Sequence, residues 1–181
     1  MKILTSRRRF LKLGMLAAAL PLPAAAGVRQ FEAERQLGFR NLHTEETLDL
    51  TYWAEGDFLP ESLAEINHIL RDHRTNEVAA IDTQLLDLLY RVRAALGTTR
   101  PFEIISGYRS PTSNQKLAEN TSGVARHSLH LEGKAIDVRI PGISLADLRR
   151  AGLDLRGGGV GYYPDSNFVH LDVGRVRTWG T

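Results

Sequence analysis

Between residues 102 and 173 the apolar residues keep falling into runs of four to six: Phe102-Glu103-Ile104-Ile105-Ser106, Ala135-Ile136-Asp137-Val138-Arg139-Ile140, Val160-Gly161-Tyr162-Tyr163 and Phe168-Val169-His170-Leu171-Asp172-Val173. Such runs are too short for stable helices, and successive side chains on them face opposite ways, so they predict strands. The earlier part of the chain carries a helical period. A helix is predicted from Pro60 to about Arg74, with Leu63, Ile66 and Leu70 on one stripe. A second is capped by Asp82 and ends near Gly97, with Leu85, Leu88, Leu89, Val92 and Leu96 buried. Phe39 to Trp53 reads as a hairpin about the turn His43–Thr47, and residues 27–36 read as polar and loosely ordered. A short helix over 111–120, a loop over 121–133, a helix capped by Ser144 running to about Leu153, a turn at Gly157–Gly159 and another at Pro164-Asp165-Ser166 complete the pattern. Helices followed by strands interleaved with short helices predict an α+β domain whose small, mainly antiparallel sheet packs against helices.

The six histidines stand at 43, 68, 73, 127, 130 and 170. His68 and His73 are expected on the first helix, five apart and off a common face, and His43 in a solvated turn. The remaining three lie in the strand-rich half. His130 ends the long loop, Gly133 and Lys134 turn the chain, and Asp137 follows in a strand, so His130 and Asp137 can face one point. Period two puts Phe168, His170 and Asp172 on one face of their strand, where an imidazole beside apolar strands needs a partner. Two imidazoles and a carboxylate are either ordinary buried side chains or three ligands of a metal such as Zn²⁺, with a fourth position left for water of lowered pKa. Spacing alone leaves both open.

The chain has no cysteine, which excludes thiolate metal sites, Fe–S clusters, a cysteine nucleophile and disulfides. Ser6-Arg7-Arg8-Arg9-Phe10-Leu11-Lys12 resembles a twin-arginine export signal. The apolar segment Leu13–Leu22 is too short to span a bilayer stably, and Ala24-Ala25-Ala26 offers a cleavage site, so residues 1–26 are expected to be removed and 27–181 to form the mature domain in the periplasm, with no stable membrane anchor. The signal holds five cations and no acid, so the net charge of +2 becomes −3 in the mature chain. A mildly acidic domain is a poor ligand for nucleic acid.

Ser128-x-His130-x-x-Gly133-x-Ala135-x-Asp137 resembles the first zinc motif of the D-Ala-D-Ala metallopeptidases, a superfamily shared with lysostaphin-type endopeptidases and hedgehog domains. Ser106-Gly107-Tyr108-Arg109-Ser110 resembles the family's substrate-arginine segment. Gly159–Pro164 with Asn167–Asp172 resembles its last zinc segment. Asn41-Leu42-His43-Thr44, Gly161-Tyr162-Tyr163-Pro164, the export signal and Trp179 are similar to the murein endopeptidase K branch. The resemblance covers essentially the whole mature chain. It implies the hedgehog/D-Ala-D-Ala-peptidase-like fold and a Zn²⁺ held by His130, Asp137 and His170. Arg109 would bind a substrate carboxylate or the oxyanion. Ser106 and Ser128 would shape the pocket or orient a ligand, and Asp172 would support His170 or replace a ligand. The implied activity is hydrolysis of peptidoglycan peptide cross-links between diaminopimelate residues, or also between D-Ala and diaminopimelate, during wall growth. A D,D- or L,D-carboxypeptidase and a non-catalytic zinc-containing wall-binding protein are the alternatives. Position 167, where many relatives carry an acid, is Asn, which leaves Asp165 and His127 as candidate general bases.

Overall fold

The computed structural model describes residues 34–120 and 127–180. The expected export signal over 1–26 and the middle of the expected loop, 121–126, lie outside the described residues. Eight strands form one sheet among the described residues: β1 (Glu34–Asn41), β2 (Thr47–Ala54), β3 (Asp57–Phe58), β4 (Phe102–Ser106), β5 (Ala135–Arg139), β6 (Gly159–Tyr163), β7 (Phe168–Asp172) and β8 (Arg177–Trp179), in the order β3-β2-β1-β4-β5-β7-β6-β8. The β1/β4 and β6/β8 pairs are parallel and the others antiparallel, so the sheet is mixed but mainly antiparallel, as expected of this α+β domain. Among the described residues four α-helices join the strands: α1 (Pro60–Ile69), α2 (Thr83–Ala95), α3 (Pro111–Asn120) and α4 (Leu145–Leu155). No helix among the described residues is long and apolar enough to cross a membrane.

One face of the sheet is apolar. Ile104 pairs with Val138, Val138 with Val169, and Ile136 with Leu171, which pairs in turn with Val160. These residues share a core with Leu85, Leu86, Leu89 and Val92 of α2 and Leu148 of α4. The helix starts follow from their caps: Asp82 accepts from the Gln84 N–H and Ser144 from the Asp147 N–H.

Three local expectations need correction. The polar start of β1 is ordered from Glu34, because α2 grips it: Arg35 donates to Asp87 at 2.8 Å and Arg93 donates to the Gln36 carbonyl at 2.9 Å. α1 stops at Ile69 and does not reach Arg74. The Asp72 side chain accepts from the Arg74 N–H at 2.9 Å, and the Asn76 N–H bonds the Asp72 carbonyl at 2.8 Å, so the chain turns where a helix would continue. His73 is therefore off the helix. Finally, the expected loop ends in a short 3₁₀ turn, Leu129–Glu132, capped by Ser128.

The opposite face of the sheet holds the polar residues. Asp137 pairs with His170, His170 with Gly161, and Gly161 with Trp179. Strict alternation would turn Ser106 away from this row, onto the face of Phe102 and Ile104. A register shift between Ile104 and Ser106 sets Ser106 opposite Asp137 instead. The row Ser106, Asp137, His170, Gly161, Trp179 thus crosses five adjacent strands, and the missing side chain at Gly161 makes room for the Trp179 indole, which a Cβ there would meet at 2.7 Å.

Candidate metal centre

His130, Asp137 and His170 converge, all of them buried. His130 Nε2 lies 3.2 Å from His170 Nδ1 and 3.3 Å from Asp137 Oδ1, and His170 Nδ1 lies 2.8 Å from the same oxygen. Ligands set tetrahedrally around Zn²⁺ at its usual bond lengths are about 3.3–3.5 Å apart; the two edges at His130 come close to this, and the His170–Asp137 edge is shorter, a hydrogen-bond length.

The outer contacts fix which nitrogens face inward. His130 Nδ1 lies 2.7 Å from the Gly107 carbonyl, which can only accept, so this nitrogen carries the hydrogen and Nε2 offers its lone pair. His170 Nε2 donates to Asp172 Oδ2 at 3.0 Å, leaving Nδ1 to point at the triangle. Two imidazole lone pairs and a carboxylate oxygen then meet at one place, an arrangement that calls for a cation. Burial holds the His130 imidazole below its ordinary range. Burial alone would lower His170 as well, but the hydrogen bonds to Asp137 and Asp172 outweigh it and raise the group. A proton on Nδ1 can therefore stand where a metal would bind, and an entering metal would have to displace it. Burial would raise Asp137, but the hydrogen bond and charge of a protonated His170 hold it well below the usual carboxylate range. The donor set, two imidazoles and one carboxylate without sulfur, fits Zn²⁺ with one position open.

Each expected supporting residue has a definite place. Ser106 Oγ accepts from Arg109 Nε at 2.8 Å, and Arg109 Nη2 forms an ion pair with Asp137 Oδ2. Arg109 thus grips the outer oxygen of the Asp137 carboxylate, and its N–H bonds the His130 carbonyl at 3.1 Å. Ser128 Oγ accepts from the His130 N–H at 3.3 Å and so starts the 3₁₀ turn that carries His130. Asp172 is not one of the three converging groups. Fully buried, it accepts from His170, from Arg177 through both oxygens (2.7 and 3.0 Å), and from the backbone of Gly159 and Gly174. Arg177 also lies over the Trp179 ring at 4.7 Å, and Trp179 donates to the Tyr163 hydroxyl at 2.7 Å. Sequence reasoning missed Arg177, whose three-residue strand carries no periodic signal.

Because every lone pair of Asp172 is taken by a donor, Asp172→Asn would turn an NH₂ group toward another donor and release the His170 ring. Metal affinity is expected to fall about 10–100-fold, as is usual when the carboxylate behind a ligand histidine is removed. Competition with a calibrated chelator measures it, and unchanged affinity would show that Asp172 has no hold on the metal ligand.

The triad opens into a cavity of about 800 Å³. His127, exposed, lines it, whereas Asp165 stands exposed in the β6–β7 turn outside the lining. Asn167 has φ of 56°, a left-handed turn position that asparagine tolerates well, so turn geometry explains this residue. His43, exposed as expected, also lines the cavity. Its Nε2 bonds the Ile105 carbonyl at 2.9 Å, and its ring stacks on His73 with centroids 3.7 Å apart. Burial, with His43 and Arg74 alongside, lowers His73 to about 4, so this ring is uncharged at neutral pH.

Comparison with known proteins places the chain in a family. A family model described as "Peptidoglycan L,D-endopeptidase MepK" matches residues 29–179. The peptidoglycan L,D-endopeptidase MepK of Escherichia coli (strain K12) is 45% identical over 177 residues, covering 96% of this chain and 97% of that protein. The probable peptidoglycan L,D-endopeptidase MepK of Haemophilus influenzae is 40% identical over 178 residues, covering 96% of this chain and 95% of its own. Matched along nearly its whole length by the family model and by these relatives, the chain belongs to the peptidoglycan L,D-endopeptidase MepK family.

Proposed function

We propose that this chain is a zinc-dependent endopeptidase of the periplasm that hydrolyses peptidoglycan cross-links between two diaminopimelate residues, exported through the twin-arginine signal over residues 1–26. The observation that carries the reading is the convergence of His130 Nε2, Asp137 Oδ1 and His170 Nδ1 at the foot of an 800 Å³ cavity in a member of this family.

Zn²⁺ held by these three residues would supply a Lewis acid and a water of pKa near ~7. The protein does the rest. Gly107 and Asp172 hold the two imidazoles in the tautomers that ligate. Arg109, braced by Ser106 and Asp137, is the fixed cation beside the triad where the amide oxygen gains negative charge. His127 lines the cavity and is favoured over Asp165 as the group that carries the proton to the leaving amine.

The reading is tested by incubating zinc-loaded protein with purified sacculi and resolving the muropeptides by mass. Cross-linked dimers are expected to give monomers cut between diaminopimelate residues. A chelator should stop the conversion and added Zn²⁺ restore it. Loss of a terminal residue alone would make the protein a carboxypeptidase. Intact muropeptides with zinc bound would make it a wall-binding protein.

A further inference from the structure

We propose that Arg74 forms a carboxylate-binding subsite in the cavity of the metal centre and there receives a free carboxylate of the substrate, which in a stem peptide is that of diaminopimelate. The inference rests on the peptidase reading and adds the residue that recognises the substrate's charge.

The cavity is cationic in its lining. Arg74, Arg109 and Arg177 border it, and Asp137 is its sole acidic residue among the described ones. Two of these arginines already have work. Arg109 spends Nε on Ser106 and Nη2 on Asp137. Arg177 grips both oxygens of Asp172. The guanidinium of Arg74 has no hydrogen bond or ion pair among the described residues; only its backbone N–H is engaged, by Asp72. An exposed arginine facing a cavity whose one carboxylate is committed elsewhere is free to pair with an anion that enters. Its planar fork suits a carboxylate.

The backbone beneath Arg74 is built to hold it still. Asp72, 1% exposed, accepts from the Arg74 N–H through Oδ1 (2.9 Å) and from the Ser110 N–H through Oδ2 (2.8 Å). This carboxylate therefore ties the turn bearing Arg74 to the segment bearing Arg109. Burial would raise Asp72, but hydrogen bonds from Ser113, Ser110 and Arg74 outweigh it and keep the group ionised. On the other side, His73 is pinned by its stack on His43, itself bonded to Ile105 at the end of β4. Two anchored residues thus precede a free cationic side chain. Cross-linked diaminopimelate matches such a subsite. The residue that gives its amine to the cross-link keeps a free carboxylate one carbon from the amide nitrogen, so binding that charge also positions the bond.

The test compares a cross-linked muropeptide dimer carrying free diaminopimelate carboxylates with the same dimer amidated at them, using zinc-loaded wild type, Arg74→Gln and Arg74→Lys. The wild-type preference for the carboxylate dimer, as a ratio of kcat/KM values, is expected to fall about tenfold in Arg74→Gln, chiefly through KM, and to be partly kept in Arg74→Lys. A preference unchanged in Arg74→Gln, with wild type active, overturns the subsite and leaves the peptidase reading standing. If wild type cleaves neither dimer, the peptidase reading fails, and calorimetric titration of the two dimers decides the subsite alone. A carboxylate preference in binding that Arg74→Gln loses supports it; equal binding of both dimers by wild type and variant overturns it.

Discussion

Asp137→Asn is expected to abolish hydrolysis of cross-linked dimers, by roughly a thousandfold or more in kcat/KM, and to leave the protein without stoichiometric metal. A thousandfold is about 4 kcal/mol of transition-state stabilisation, the scale of a Lewis acid at a developing charge. The substitution keeps the side chain's shape and removes only its charge, yet no placement of the amide is harmless. If the NH₂ group faces Arg109, donor meets donor. If it faces His130 and His170, its hydrogens fill the place where three lone pairs now converge. Either way the centre loses its one anionic group. Arg109, only 14% exposed, loses its counter-ion as well, so the metal-free protein should also lose about 3 kcal/mol, the lower end for a broken buried pair because the cavity still admits water. Elemental analysis after dialysis, kinetics on dimers and urea unfolding read the three effects separately. A variant that keeps full metal stoichiometry and more than a tenth of wild-type activity would remove Asp137 from the centre.

Much of this centre is visible in the chain because it obeys simple periods. Asp137 alternates with Ile136 and Val138, and His170 with Val169 and Leu171, so one apolar and one polar side of both strands follow from period two alone. The caps at Asp82 and Ser144 are equally local. What stays hidden depends on contacts distant in sequence or on broken periods. The register shift before Ser106 adds no residue type that announces it, yet without it Ser106 would face the core and could not brace Arg109. β8 is held by pairing with β6, not by its own pattern of Arg, Thr and Trp. The end of α1 depends on Asp72, whose second oxygen bonds a residue 38 positions away. Arg109 reads as a substrate arginine by resemblance, and only the fold reveals that its charge is shared with the Asp137 carboxylate.

Gly133 shows how the fold limits the chemistry, and Gly133→Ala is expected to cost about 3–5 kcal/mol. The residue ends the 3₁₀ turn that carries His130, with φ of 65°, a conformation that costs a residue with a Cβ about 1–2 kcal/mol. A second penalty adds to it: a Cβ at Gly133 would lie 2.2 Å from the Ala80 carbonyl oxygen and 3.3 Å from the Ile81 Cα, both backbone atoms that no rotamer change can move. The contact is tight because the Gly133 carbonyl accepts from the Asp82 N–H at 3.0 Å, and Asp82 caps α2. Relief therefore means parting the His130 turn from the start of the central helix. Gly97 supplies the control, since its φ is 60° and nothing lies within 4 Å of an added Cβ, so Gly97→Ala should lose only the conformational part, about 1–2 kcal/mol. Urea unfolding of the two metal-free variants measures the difference. Equal losses would mean that the approach to Ala80 yields cheaply. A larger loss in Gly133→Ala, together with weakened metal binding that Gly97→Ala does not show, would mean that the spacing from His130 to Asp137 is held by a backbone contact as well as by the ligands.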